Sequence, residues 1–255
     1  MLFWLAPLFS LTALIYASVG FAGGSTYTAL LVLAGIDAHI LVVLSLACNI
    51  VVATGGVIRF AAAQAIAWRR TFPLLLLSVP LAWFGGQISI DKRLFILLLG
   101  GSLLVAGLLL LLGPDRQTGH QKSGKRQADG ARTGWAAILA AAPIGLLSGI
   151  VGIGGGIFLA PLLHLMRWDS GRRIAGTASL FILVNSIAGI LGQLGKLQLT
   201  DIGGIVTDWW PLIAAVLVGG QLGSFLGAKH LPVTLVRRIT GIVVLFAAVR
   251  LLLSL

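Results

Sequence analysis

Residues 19–37 read VGFAGGSTYTALLVLAGID, and residues 151–169 read VGIGGGIFLAPLLHLMRWD. Each stretch sets a glycine cluster inside strongly apolar sequence, follows it with a short apolar run, and closes on an aspartate, Asp37 or Asp169. Later landmarks recur in the same order: Trp68 and Pro73 precede GGQ at 85–87, and Trp210 and Pro211 precede GGQ at 219–221. A duplicated apolar chain whose hydrophobic segments break at glycine in matching places has the pattern of a transporter with its site at the breaks.

The composition agrees. The chain of 255 residues is 58% hydrophobic and 10% charged, far from the roughly 25% charged of soluble domains. Several stretches reach the roughly 20 apolar residues needed to cross a bilayer, so the lipid bilayer is its solvent. The opening MLFWLAPLFSLTALIYASVG has no basic n-region or small-residue cleavage site, and reads as a retained helix. A single cysteine, Cys48, excludes an intramolecular disulfide. The net charge of +11 is spread among short loops, and its one denser run has no interleaved aromatics. That pattern carries topology and not nucleic-acid binding.

Apolar runs set against breakers give five segments per half. They lie near 2–19, 25–36, 39–58, 71–89 and 93–112, then near 135–151, 156–167, 173–194, 209–228 and 232–253. The first transmembrane repeat is thus 1–112 and the second 135–255, with a basic, Gly-rich linker at 113–134 between them. The second segment of each half is short for a full span and reads as a re-entrant or discontinuous helix. Charge decides whether each glycine-broken pair crosses or returns. If it returns, fourteen of the eighteen Lys and Arg share one face, and only Lys92, Arg93, Lys196 and Arg250 lie opposite. If it crosses, the split is ten to eight, which is no bias. The positive-inside rule favours the returning hairpin, with the linker cytoplasmic and both termini outside. Each half then makes an odd number of crossings, so the two are inverted relative to each other, a basis for alternating access.

The stretches GFAGGSTYTALL and GIVGIGGGIFLAPLLHLM, with GTASLFILVNSIAG at 176–189, resemble the duplicated signature of the TauE/SafE family of sulfite and organosulfonate permeases. The resemblance covers almost the whole chain. It implies an inner-membrane carrier of small sulfur-containing anions such as sulfite, thiosulfate or organosulfonates, in a family that varies in substrate and direction. The first copy has Ala22 where the second has Gly154, and Ala29 where it has Pro161, and it gains Ser25 and Thr26. The two half-sites are therefore chemically unequal.

The residues themselves suit an anion. A helix starting at a glycine cluster exposes backbone N–H groups and the positive end of its dipole, and glycine lets an oxyanion approach the backbone. The candidate substrate-binding residues are Gly23, Gly24, Ser25 and Thr26 at one break and Gly154, Gly155 and Gly156 at the other. The competing reading is that these glycines only permit close helix packing. The third segments supply Ser45, Cys48, Asn49 and Thr54 in one half and Thr177, Ser179, Asn185 and Ser186 in the other. Amides at membrane depth need partners, so Asn49 and Asn185 either donate to substrate or bond to the unwound backbone. Thr177 and Ser179 are further candidates, although such hydroxyls more often satisfy a helix carbonyl. Cys48 reads as an apolar filler, Gln87, Gln193 and Gln221 as interface hydrogen-bonders, and His164 as a satisfied polar contact. Asp37 and Asp169 read as helix N-caps.

The chain has no glutamate, and none of its seven aspartates falls inside an apolar run. Ion-coupled carriers usually rely on an intramembrane carboxylate, so its absence points to efflux driven by the membrane potential. Proton-coupled uptake of an organosulfonate or another small anion, a non-transporting scaffold, a carrier for neutral solutes or cations, and a channel are the alternatives. An intramembrane protease would need a serine meeting a histidine, and no serine stands out beside His164. The reading is an all-α polytopic membrane protein of two inverted five-segment repeats, a transporter and not an enzyme, with no metal or cofactor. Dimerisation through the Gly-rich outer helices is compatible with it but not demanded by it.

Overall fold

The computed structural model describes residues 4–18, 20–112, 127–196, 199–227 and 233–253. Among these residues it is all-helical. The first half holds α1 (Leu5–Ala17), α2 (Gly24–Leu33), α3 (Ala38–Ala62), α4 (Trp68–Gln87) and α5 (Lys92–Leu112). The second holds α6 (Gln127–Val151), α7 (Gly156–Leu165), α8 (Gly171–Gln193), α9 (Leu199–Gly227) and α10 (Val233–Leu252). Spans long and apolar enough to cross a bilayer occur at Ile40–Ala62, Lys92–Leu112, Gly134–Val151 and Gly171–Lys196. Side chains such as Phe72, Leu76, Leu139 and Phe246 face outward, as they do where the surroundings are lipid and not water.

Two helices start well before their apolar segments. α6 begins inside the stretch read as linker, of which 113–126 lies outside the described residues. α9 begins at Leu199 and takes Asp201 and Asp208 into a 29-residue helix. Hydropathy marks where a helix enters lipid, whereas backbone hydrogen bonding carries it further into polar sequence.

The short segments are as short as their sequence suggests. α2 and α7 are ten residues each, about 15 Å of helix where a span needs about 30 Å. They start and stop alike. The amides of Thr26 and Tyr27 donate to the Gly23 carbonyl, as those of Phe158 and Leu159 donate to Gly155. At the far ends, Gly35 (φ +76) and Arg167 (φ +51) take the left-handed position of a Schellman stop, with Ile36 N–H on Leu31 O and Trp168 N–H on Leu163 O.

The halves interlock. α1 packs on α9 and α4 on α6; α3 meets α9 and α4 meets α8; α2 meets α10 and α5 meets α7; α3 meets α8, and α5 meets α10. Exchanging the halves turns this set of pairs into itself. The closest crossings use glycine. A methyl group on Gly145 or Gly149 of α6 would fall onto the carbonyl oxygen of Ser78 or Ala82 in α4. Gly219 and Gly223 of α9 stand in the same relation to Ser10 and Leu14 of α1. Small residues four apart let two backbones approach this closely.

Candidate functional site

The two glycine breaks meet in the interior, against the middle of α3. Positive φ recurs at matching places, Gly20 with Gly152 and Gly23 with Gly155, and Gly154 adds a third such residue to the second break (φ +86, +79, +91, +76 and +80 for Gly20, Gly152, Gly23, Gly155 and Gly154). L side chains pay for this conformation and glycine does not. The breaks touch directly, because a methyl group on Gly24 would lie 2.7 Å from the Ile153 carbonyl oxygen. Their carbonyls are pinned from α2 and α3. Ser45 Oγ lies 3.0 Å from Gly24 O and 2.9 Å from Gly152 O, and Thr28 Oγ1 donates to Gly24 O at 2.8 Å.

The first amides of α2, at Gly24 and Ser25, lie ahead of the helix's first hydrogen bonds, and so do those of Gly156 and Ile157 in α7. Such amides carry the positive end of each helix dipole. Between the breaks stands Asn49. It is fully buried, and neither Nδ2 nor Oδ1 has a hydrogen-bond partner. A methyl group on Gly24 would be 2.7 Å from Asn49 Oδ1, and one on Gly154 would be 2.9 Å from Nδ2 and 3.1 Å from Ser186 Oγ. Ser186 Oγ is also buried without a partner. A buried polar group normally finds one, so each such group needs an explanation.

The remaining candidates divide. Ser25 and Thr26 are buried but turned toward α1, where Tyr16 Oη lies 2.8 Å from Thr26 Oγ1 and 3.4 Å from Ser25 Oγ. Thr177 pairs with Thr71 of α4 at 3.0 Å, and Ser179 Oγ donates to Gly20 O at 2.8 Å, so both hold backbone or a neighbouring helix. Asn185 Nδ2 donates back to Phe181 O at 2.8 Å, while its Oδ1 has no partner. Gly24, Gly154 and Asn49 come together, with Gly23, Gly155 and Gly156 beside them in the chain; Thr177 does not join them, and Ser179 reaches the first break at Gly20. Tyr16 and Thr28 were missed, although a phenol or hydroxyl inside an apolar run already signals a needed partner.

Residues outside the breaks find other roles. Gln193 Nε2 donates to Gly149 O at 3.3 Å. Gln221 accepts from Arg59 through its carbonyl oxygen at 3.1 Å and through Oε1 at 2.9 Å. Both are interface hydrogen-bonders, as expected from their places. Arg59 also donates to Ser224, and with Thr54 and Gly55 it lines a cavity of about 390 Å³ between α3 and α9. Cys48 is buried in the apolar core. His164 is exposed on α7. The N-cap expectation needs correction. Asp37 holds the N-cap position of α3 but makes no side-chain cap bond, and the N-cap of α8 is Ser170. Asp169 instead lies 3.6 Å from both Arg70 and Arg173, with Arg70 also donating to Trp168 O at 2.9 Å and lying over the Trp168 ring. Asp169 Oδ1 accepts from the backbone N–H of Ser170 at 2.7 Å, one residue ahead of α8, so the carboxylate is held at the helix entrance without capping the first turn.

Comparison with known proteins bears on what crosses here. Residues 5–251 match the family described as "Sulfite exporter TauE/SafE". The "Probable membrane transporter protein y4hK" of Sinorhizobium fredii (strain NBRC 101917 / NGR234) is 29% identical over 248 residues, which is 97% of this chain and 97% of that relative. No solved structure matches. With a family match running through nearly every helix and both glycine breaks, the chain belongs to the TauE/SafE sulfite exporter family and is a multi-pass membrane transporter.

Proposed function

We propose that the protein moves a small sulfur-containing anion out across the cell inner membrane by alternating access, holding it between the N-termini of α2 and α7. One observation carries this reading: Asn49, fully buried and unpartnered, stands where both glycine breaks converge. Packing alone explains glycines, but it gives no reason to keep an unsatisfied amide among them. The amides of Gly24 and Ser25, and of Gly156 and Ile157, supply the donors, and Asn49 adds its own. Gly23, Gly154 and Gly155 set the backbone so that an oxyanion can reach it. In this conformation the breaks abut, so the site is occluded and opens by relative movement of helices. The interlocked packing supports movement between the pairs α1–α9 and α4–α6, each built from both halves. The self-mapping set of helix pairs supports inverted repeats, and the charge bias supports external termini with a cytoplasmic linker.

Export follows from energetics. An anion leaving a cell that is negative inside gains about 2.3 kcal/mol per charge per 100 mV, so no coupling ion is required. Asp208, which borders the apolar run of α9, lies exposed. The test is efflux of labelled sulfite and thiosulfate from proteoliposomes under an imposed potential, without proton or sodium gradients. Potential-driven efflux of at least one of the two anions is the expected result. Flux that appears only with a proton gradient overturns the direction and the coupling. No flux of either anion under any gradient overturns the substrate class.

A further inference from the structure

The charges and hydrogen bonds around Asn49 are specific enough to choose a protonation state. We infer that the site takes a singly charged oxyacid anion that still carries its proton, hydrogensulfite in the case of sulfite, and discriminates against the dianions sulfite, thiosulfate and sulfate. This rests on the proposed anion site at the breaks and deepens it.

Two independent ledgers agree. The first is charge. No Lys, Arg or His is among the residues that form the breaks, 20–26 and 152–158, and the Arg59 guanidinium, ten residues further along α3, is engaged by Gln221 and Ser224. The positive potential therefore comes from the two helix N-termini, each worth about half an elementary charge. Together they offset about one negative charge. A dianion would keep an uncompensated charge in a low-dielectric interior, where the desolvation cost grows as the square of the charge. The second ledger is hydrogen bonding. Asn49 presents an unpartnered donor at Nδ2 and an unpartnered acceptor at Oδ1. A fully ionised oxyanion accepts only, so it would satisfy Nδ2 and leave Oδ1 facing an anion. An anion that bears a proton satisfies both. Asn185 Oδ1, also buried and unpartnered, is a further acceptor on α8.

The experiment uses wild-type protein in liposomes, at fixed total sulfite, in a mildly acidic and a mildly alkaline buffer that straddle the second ionisation of sulfurous acid. Methanesulfonate, a monoanion without a proton at either pH, controls for titration of the protein itself. The titratable and charged groups on α3 and on the elements packed around Asn49 are Tyr16, Tyr27, Asp37, His39, Cys48, Arg59, His164, Arg172, Arg173, Asp201 and Asp208. The inference expects sulfite flux to rise several-fold in acid, following the hydrogensulfite fraction, while methanesulfonate flux stays level and about tenfold lower, the effect of one lost hydrogen bond. With equal pH on both sides, a tenfold sulfite gradient should be nulled by about 59 mV, the value for one charge. Sulfite flux that ignores pH, a null at half that potential, or methanesulfonate competing as well as hydrogensulfite would overturn the inference and leave the anion site standing. Absence of potential-driven flux for sulfite, thiosulfate and methanesulfonate alike would overturn the site reading, and this inference with it.

Discussion

Replacing Asn49 with leucine should make the protein more stable and stop it transporting. The side chain is fully buried, and both its polar atoms are unpartnered. An unsatisfied buried group costs about 1–3 kcal/mol, whereas an apolar group of the same shape carries no such penalty. Taken at about 1.5 kcal/mol for each of the two groups, Asn49→Leu recovers about 3 kcal/mol. Imperfect fit of a near-isosteric side chain against Gly24 and Gly154 returns up to about 1.5 kcal/mol. The net gain is about 1.5 kcal/mol, or a rise of about 3–6 °C in Tm for a chain of this size. The single cysteine supplies the assay. Cys48 is buried beside Asn49, so a thiol-reactive fluorogenic dye stays dark until the bundle opens, and the two melting curves can be compared without added sulfite. Potential-driven efflux measured in parallel should fall to the level of empty liposomes. A lower or unchanged Tm would show that the amide is satisfied in the folded protein. Retained efflux would show that Asn49 does not meet the substrate. Either result refutes the reasoning.

Three further substitutions test the scaffold. Gly149→Ala drives a methyl group into the Ala82 carbonyl and to 2.7 Å from Gly86 N; it should cost about 1–3 kcal/mol, read as a lower Tm and less monodisperse protein on size exclusion. Arg167→Gly relieves a non-glycine residue at φ +51 and should stabilise by about 1 kcal/mol, seen as a small rise in Tm with transport retained. Ser45→Ala removes the hydroxyl lying 2.9 Å from Gly152 O and 3.0 Å from Gly24 O. It should cost about 1–3 kcal/mol and slow transport through looser breaks, checked by melting and by efflux on the same preparation.

The sequence by itself determined the membrane class, the two short helices and the glycine breaks. Its signals there are local. An apolar run long enough to cross lipid has to satisfy its backbone internally and so is helical, and a glycine cluster inside such a run is where the helix can stop and turn. The repeated pattern also anticipated matching backbone geometry, seen in the positive φ of Gly23 and Gly155 and in the shared stops after α2 and α7. Partner choice was beyond it. Asn49 and Asn185 read alike in sequence, yet one stands between the breaks without a partner while the other turns back to its own helix at Phe181. Thr177 meets Thr71 because α8 packs on α4 of the other half, and Ser179 meets Gly20 because α8 also lies against the first break, where a methyl group on Gly20 would be 2.9 Å from Ala175 Cβ. Periodicity fixes which way a side chain leaves its helix but not what waits there. Only packing between the halves decides that, which is why the breaks and both asparagines were legible in the sequence and the choice between Asn49 and Asn185 was not.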